Sequence, residues 1–164
     1  MEDKERGSVV QAMELGRLLL NIGKSVSTAE SCTGGNIAHK ITSVPGSSSY
    51  YKGSVVAYAN EVKSGVLGVS MKAVMEHGAV SREVVEQMAE GVRRLMGTDL
   101  AVATSGVAGP GGGTAEKPVG TVWIAATNGI EVQSECFHFE GNRAEIIEKT
   151  TEKAIFVLKS IANK

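Results

Sequence analysis

The chain is poor in the residues that metal sites and disulfide frameworks require. Its 164 residues include only two cysteines and three histidines, and neither type occurs at metal-ligand spacing. Lysine and arginine together number 17 against 18 aspartates and glutamates, so the sequence also lacks the basic excess typical of nucleic-acid binding. These absences predict a protein that uses no metal and no cofactor and has no nucleic-acid partner.

No apolar run in the sequence approaches the roughly 18 residues that a transmembrane helix needs. Residues 1–7 are charged and do not have the hydrophobic region of a signal peptide. We therefore expect a cytoplasmic protein without a membrane partner. The length fits one domain, which we expect over residues 1–164 with a flexible N-terminus over 1–7. The sequence leaves homo-oligomerisation open.

Strand-like and helical patterns alternate along the chain and predict its fold class. The predicted strands are Lys24–Ala29, Gly53–Ala59, Leu100–Thr104, Val119–Thr127 and Ile130–Phe139. The predicted helices are one with the apolar stripe Val9, Ala12, Met13, Leu19 and Leu20, one stopping near Val44, one from an Asn60 N-cap through Leu67, one capped by Ser81 and Gly97, and one opened by an Asn142–Glu145 capping box. Alternating elements that end in a hairpin at Asn128–Gly129 predict an α/β fold, with three α/β/α layers around a mixed sheet.

Three segments of the sequence are rich in glycine or in hydroxyl residues. Ser31 lies in the first of them, at the junction between a predicted strand and the helix that follows it. The unpaired amides at a helix N-terminus stabilise negative charge, so a hydroxyl there can form an alkoxide or hold an anion. The alternative is that Ser31 or Thr33 only caps the helix.

Lys63 lies in the second segment, in the first turn of a helix if Asn60 is its N-cap. The positive end of the helix dipole disfavours an ammonium there, and a lysine that loses its proton easily can act as a general base. A solvated surface lysine is the alternative. The third segment, Ser105–Gly113, holds five glycines whose amides could form an oxyanion hole. A mobile loop is the alternative for that segment.

Six motifs in these segments resemble the CinA C-terminal-domain family over about residues 8–162. They are Ala29–Gly35, Pro45–Ser48, Tyr58–Lys63, His77–Ser81, Ser105–Pro110 and Lys117–Val122. The resemblance implies a three-layer α/β/α fold, and it implies hydrolysis of the carboxamide of nicotinamide mononucleotide to nicotinic acid mononucleotide and ammonia. A nucleotide is then the expected small-molecule partner. This chain resembles the free-standing form, without the additional N-terminal domain that some relatives carry.

The resemblance also gives roles to individual residues. Ser31 would attack the carboxamide carbon, Lys63 would accept its proton, and Tyr58 would relay or orient. Ser105 and Gly106 would stabilise the oxyanion. The substrate-binding residues that the resemblance implies are Glu30, Thr33, Gly34, Gly35, Ser48, Gly106 and Arg143, with Arg143 on the 5′-phosphate. Relatives have Asp where this chain has Asn142, and arginine where it has Ile147.

Cys32 competes with Ser31 as nucleophile. On an extended segment, adjacent residues point to opposite faces, so only one of the two is expected to reach a substrate. A lysine partner favours the serine. A non-catalytic nucleotide-binding or competence-related module is the alternative function, because glycine loops could bind a nucleotide without chemistry.

Overall fold

The computed structural model describes residues 2–164, with side chains from residue 6 onward. Its strands are β1 (Val26–Glu30), β2 (Tyr51–Val56), β3 (Leu100–Gly106), β4 (Thr121–Thr127) and β5 (Val132–His138). Its helices are α1 (Glu2–Ile22), α2 (Asn36–Thr42), α3 (Asn60–Gly65), α4 (Met71–His77), α5 (Arg82–Met96) and α6 (Arg143–Ala162), with a short 3₁₀ helix at Ser47–Ser49. In this part of the chain, no helix is long and apolar enough to cross a membrane.

The five strands form one mixed sheet in the order β2-β1-β3-β4-β5. β1 pairs in parallel with both β2 and β3, whereas β3–β4 and β4–β5 are antiparallel. The carboxyl ends of β1, β2 and β3 therefore meet at one edge of the sheet. That edge is where ligands bind in open α/β sheets.

Helices cover both faces of the sheet and create two cores. Along β3, Leu100 and Val102 pack into the core beneath α1, α2 and α6. Ala101 and Ala103 point the other way, into the core beneath α5. This alternation follows from the two-residue period of a strand. The predicted three-layer α/β/α fold with a mixed sheet is confirmed.

The predicted caps of the two long C-terminal helices are confirmed. The Ser81 hydroxyl accepts a hydrogen bond from the amide of Val84 at the start of α5, and Gly97 ends that helix at φ 63°. Asn142 and Glu145 form the complete capping box of α6. A cap of this kind stabilises a helix by about 1 kcal/mol.

Several local predictions differ from the structure. Asn60 is the first residue of α3 rather than its N-cap, a position that Ala59 occupies without a side-chain bond. The helix α4, capped by Ser70, has no counterpart in the sequence prediction. Its seven residues are too few to show a clear helical period.

Helix α1 buries two of the five residues of its predicted apolar stripe. It begins at Glu2 and so includes most of the segment 1–7 that was expected to be flexible. Ala12 and Leu19 of the predicted stripe are buried together with Leu15, whereas Val9, Met13 and Leu20 are exposed. The buried stripe continues to the small residue Ser8, whose hydroxyl donates to Glu148 on α6. Ser8 is polar, so the apolar pattern of the sequence does not indicate that it is buried.

Gly91 allows α5 to pack directly against the chain that follows α3. A Cβ atom at Gly91 would lie 2.0 Å from the carbonyl oxygen of Leu67. We expect Gly91→Ala to lower the free energy of unfolding by about 1–3 kcal/mol, the usual cost of overpacking. The urea unfolding midpoint, at unchanged m-value, measures this effect.

Gly65→Ala is the matched control, because a Cβ atom there would meet no heavy atom within 4 Å. A tolerated Gly→Ala change stabilises by about 0.4–1 kcal/mol through the unfolded chain. Equal midpoints for the two variants would show that the contact at Leu67 does not limit packing.

Candidate active site

Ser31 follows β1 at the carboxyl edge of the sheet. Its amide donates to the carbonyl of Thr104 on β3 at 3.0 Å, so the neighbouring strand fixes its backbone. The chain then turns through residues 32–35 into α2. The Ser31 side chain is 9% exposed and lies at the wall of a cavity.

Lys63 lies on α3, and its amine contacts the Ser31 hydroxyl. Its Nζ donates to Ser31 Oγ at 3.1 Å and to the carbonyl of Ala57 at 2.9 Å. Only 1% of the lysine is exposed, and this burial lowers the pKa of Lys63 because an ammonium loses its hydration there. A serine hydroxyl bonded to a buried lysine amine is the arrangement of a nucleophile and its general base.

The cavity beside this pair has a volume of about 270 Å³. It is lined by Ser31, Cys32, Tyr58, Gly106, Val107, Ala108, Gly109, Gly111, Gly112 and Arg143. Arg143 is the only charged residue among them. The walls thus combine a hydroxyl, a small apolar surface, a loop rich in glycine and one cation.

The Arg143 guanidinium spans the cavity from the first residue of α6. It donates to the carbonyl of Gly109 at 2.7 Å and to the hydroxyl of Tyr58 at 2.9 Å. A guanidinium carries five N–H donors, so three remain. No ion pair of Arg143 with a carboxylate occurs in the described part of the chain. Its charge is therefore available to an anion.

The loop after β3 offers main-chain donors to the same cavity. Within residues 2–164, the amides of Ala108, Gly109, Gly111 and Gly112 donate no backbone hydrogen bond. Gly109 has φ 80°, and a Cβ atom there would lie 2.5 Å from Val119. Glycine at this position therefore lets the loop fold closely over the cavity, with amides left for a bound oxyanion.

Cys32 also lines the cavity, although it is mostly buried. The expectation that only one of Ser31 and Cys32 could reach the site is wrong, because β1 ends at Glu30 and the two residues lie in a turn rather than on an extended strand. Burial raises the pKa of the Cys32 thiol to about 12. Since the thiolate is the nucleophilic form, this thiol is unreactive near neutral pH.

Comparison with known proteins matches residues 10–162 to the CinA C-terminal domain. The chain belongs to this family. A CinA-like protein of Endomicrobium trichonymphae is 50% identical over 144 residues, which are 88% of this chain and 34% of that protein. A CinA-like protein of Desulfosudis oleivorans is 54% identical over 129 residues, covering 77% of this chain and 31% of that protein. The chain thus spans about a third of the length of these curated relatives.

Solved CinA structures share the fold. The competence/damage inducible protein CihA from Agrobacterium tumefaciens has a TM-score of 0.93 at 38% identity, with 96% of each chain covered. A CinA superfamily protein from Klebsiella pneumoniae has a TM-score of 0.91 at 32% identity, covering 95% of this chain and 98% of that one.

Five of the seven residues that the CinA resemblance implies for substrate binding, namely Glu30, Thr33, Gly34, Gly35 and Ser48, are not among the residues that line the cavity. The Glu30 carboxylate is buried and accepts hydrogen bonds from the Thr33 hydroxyl and the α2 amides of Ile37 and Ala38. Those α2 amides are therefore not open to a phosphate. Gly34 and Gly35 form the turn before α2 and are not among the lining residues.

In the described part of the chain, neither Ser48 nor Ser105 forms a side-chain hydrogen bond with Ser31 or Lys63. Ser48 lies in the 3₁₀ helix before β2, at the opposite end of the sheet. Thr104 on β3 pairs with Glu30 on β1, so the next residue, Ser105, lies beside Ser31. The Ser105 hydroxyl, however, donates to the carbonyl of Ala79 at 2.8 Å. Gly106 does line the cavity. Among the residues that the structure describes, no group of three or more His, Cys, Asp or Glu side chains could hold a metal ion.

Proposed function

We propose that this CinA domain hydrolyses the carboxamide of nicotinamide mononucleotide, giving nicotinic acid mononucleotide and ammonia. The observation that carries the proposal is the 3.1 Å hydrogen bond between Ser31 Oγ and the buried Lys63 Nζ at the cavity wall. The apolar Val107 and Ala108 offer a surface to a pyridine ring, and Arg143 offers a charge to a phosphate. The family resemblance supplies the substrate.

The reaction would proceed in two steps. Neutral Lys63 accepts the Ser31 proton as Oγ attacks the carboxamide carbon, and the loop amides near Gly106 stabilise the oxyanion. Lys63 then returns that proton to the nitrogen as the C–N bond breaks. The nitrogen leaves as ammonia, and the acyl group remains bound to Ser31 as an ester. Water attacks the ester, gives its proton to Lys63, and releases the carboxylic acid as Ser31 is reprotonated.

Arg143 would hold the 5′-phosphate at the far side of the cavity. Charge-assisted bonds between a guanidinium and a phosphate are stronger than neutral ones and fix orientation. Binding energy from this remote group would position the amide carbon against Ser31. Tyr58 would act by orienting Arg143 rather than by relaying protons, since its hydroxyl accepts from that guanidinium.

We expect kcat/KM to rise once with increasing pH, as Lys63 loses its proton. Only neutral Lys63 can accept the Ser31 proton, and burial places its pKa below its ordinary value near 10.5. Activity is therefore lost as pH falls through this lowered pKa and gained above it. Initial rates between about pH 7 and about pH 10, where the phosphate is already ionised, measure the limb.

The pH profile also separates the two nucleophiles. The Cys32 thiol, with a pKa of about 12, cannot generate a limb in this range. Cys32→Ser should therefore leave the profile unchanged. A profile without an ascending limb, or one that disappears in Cys32→Ser, would contradict Lys63 as the base of Ser31.

Ammonia release from a panel of amides tests the proposed function. We expect turnover of nicotinamide mononucleotide to exceed that of nicotinamide riboside, nicotinamide and simple aliphatic amides. Preference for an amide without a phosphate would indicate a different amidase. Binding of nicotinamide mononucleotide without ammonia release would instead indicate the non-catalytic nucleotide-binding module.

A further inference from the structure

We propose that Glu30 is a positioning residue that holds Ser31 and Lys63 at bonding distance from inside the fold. The inference rests on the proposed serine–lysine chemistry, but it does not depend on which amide is the substrate. It differs from the role that the resemblance implies, in which Glu30 binds the substrate.

The Glu30 carboxylate is saturated by neighbouring donors and has no access to solvent. Glu30 is 0% exposed. Its Oε1 accepts from the Thr33 hydroxyl at 2.7 Å and the Ile37 amide at 2.8 Å. Its Oε2 accepts from the Ala38 amide at 3.0 Å and, more weakly, from the Ser54 hydroxyl at 3.4 Å. Three of the four donors belong to the turn after Ser31 and to α2, so the carboxylate fixes the path of the chain that leaves Ser31.

The Glu30 side chain cannot act on a substrate directly. Glu30 is the last residue of β1, and its carboxylate accepts from α2 on the face of the sheet opposite to Ala29, which packs into the core beneath α5. Glu30 is also absent from the cavity wall, which Ser31 and Cys32 line. Its carboxylate therefore does not line the cavity, and we infer that it acts through the residues that it holds in place.

The main chain of Glu30 connects the same point to Lys63. The Glu30 carbonyl accepts from the Ala57 amide at 2.8 Å, and the Ala57 carbonyl accepts from Lys63 Nζ at 2.9 Å. Glu30 thus directly precedes Ser31 in the chain. Its main chain also holds Ala57, whose carbonyl orients the amine of Lys63. A second buried chain of hydroxyls, Thr33 to Thr104 at 2.9 Å, links the turn to β3. A carboxylate that is fully bonded in a low-dielectric site resists displacement, because moving it leaves its donors unsatisfied.

Glu30→Gln tests the inference. Glutamine keeps the shape of the side chain, but its NH₂ group replaces one accepting oxygen and faces groups that themselves donate hydrogen bonds. We expect kcat for ammonia release to fall about 10- to 100-fold, the range for misplacement of reacting groups, while KM changes less than about threefold. Labelling of Ser31 by a fluorophosphonate probe, which reports serine reactivity without any amide substrate, should slow by a similar factor. Thr33→Val removes one donor and should give a smaller loss of both rates.

Glu90→Gln is the matched control for lost stability. Glu90 is a partly buried carboxylate that accepts hydrogen bonds from Arg93 and Thr127 at the opposite end of the sheet. It should unfold at lower urea concentration than the unmodified protein, with kcat and probe labelling unchanged. If Glu30→Gln does not fold, the decision passes to Thr33→Val, which keeps the carboxylate.

The outcomes separate this inference from the proposed function. Slow labelling of folded Glu30→Gln, or of Thr33→Val, supports the positioning role even if nicotinamide mononucleotide is not a substrate. Unchanged kcat and labelling in these variants would overturn it while the amidase proposal stands. An unmodified protein that neither labels at Ser31 nor releases ammonia would overturn both.

Discussion

Replacing Ser31 with alanine, or Lys63 with methionine, is expected to lower kcat for ammonia release from nicotinamide mononucleotide by at least about 10²-fold. General acid–base assistance contributes about 10²–10⁴-fold, and Ser31 without Lys63 keeps its proton. Methionine suits the 1% exposed Lys63 site, because it replaces most of the buried volume. The double variant should be little slower than either single one, since the two groups act as a unit.

Cys32→Ala is the control for this prediction. Its pKa is raised to about 12, so the thiol stays protonated and does not act as a nucleophile. Cys32 only lines the cavity, and most of the activity should remain in the variant. Loss of turnover in Cys32→Ala, or after treatment with iodoacetamide, together with retention in Ser31→Ala, would assign the nucleophile to cysteine. Circular dichroism of each variant checks that the fold is intact.

Replacing Arg143 with alanine is expected to lower kcat/KM for nicotinamide mononucleotide by about 10- to 100-fold. Hydrogen bonds to charged groups contribute about 1.5–3 kcal/mol, and every 1.4 kcal/mol is tenfold. Among the described residues that line the cavity, only Arg143 is charged. The loss should appear mainly in KM if the contact is equally strong in the ground and transition states.

Nicotinamide riboside provides the substrate control, because it lacks the phosphate. Its kcat/KM should be lower than that of the mononucleotide and should change less than about twofold in Arg143→Ala. Arg143→Lys should recover part of the loss, since lysine keeps the charge but not the planar fork. Tyr58→Phe removes the hydroxyl that accepts from Arg143 at 2.9 Å and should raise KM with little effect on kcat. Equal losses for both substrates in Arg143→Ala would refute the phosphate contact.

The layers of the fold could be predicted because local signals agreed with tertiary packing. Helix α5 carries a clear apolar period with Ser81 and Gly97 at its ends, and the Asn142–Glu145 box marks the start of α6. The strand–helix alternation then fixed the mixed sheet. Ser31 and Lys63, 32 positions apart, could be paired only through the family resemblance, and the 3.1 Å contact between them is consistent with that pairing.

Other features depend on tertiary contacts that a sequence does not display. The inward stripe of α1 includes Ser8, which donates to Glu148 on α6, and a polar residue gives no apolar signal in the sequence. Cys32 reaches the cavity because the strand ends one residue before Ser31. The saturation of Glu30 requires donors from α2 and from Ser54 on a different strand, and a motif gives no indication that a carboxylate is buried.

The most direct test of the central claim is the product of nicotinamide mononucleotide after incubation with the protein in ¹⁸O-labelled water. Hydrolysis through a Ser31 ester predicts one ammonia per nucleotide consumed and one ¹⁸O atom in the new carboxylate, with neither product formed by the Ser31→Ala protein. A nucleotide recovered unchanged from the unmodified, folded protein, or one cleaved at its glycosidic or phosphate bond, would contradict the account.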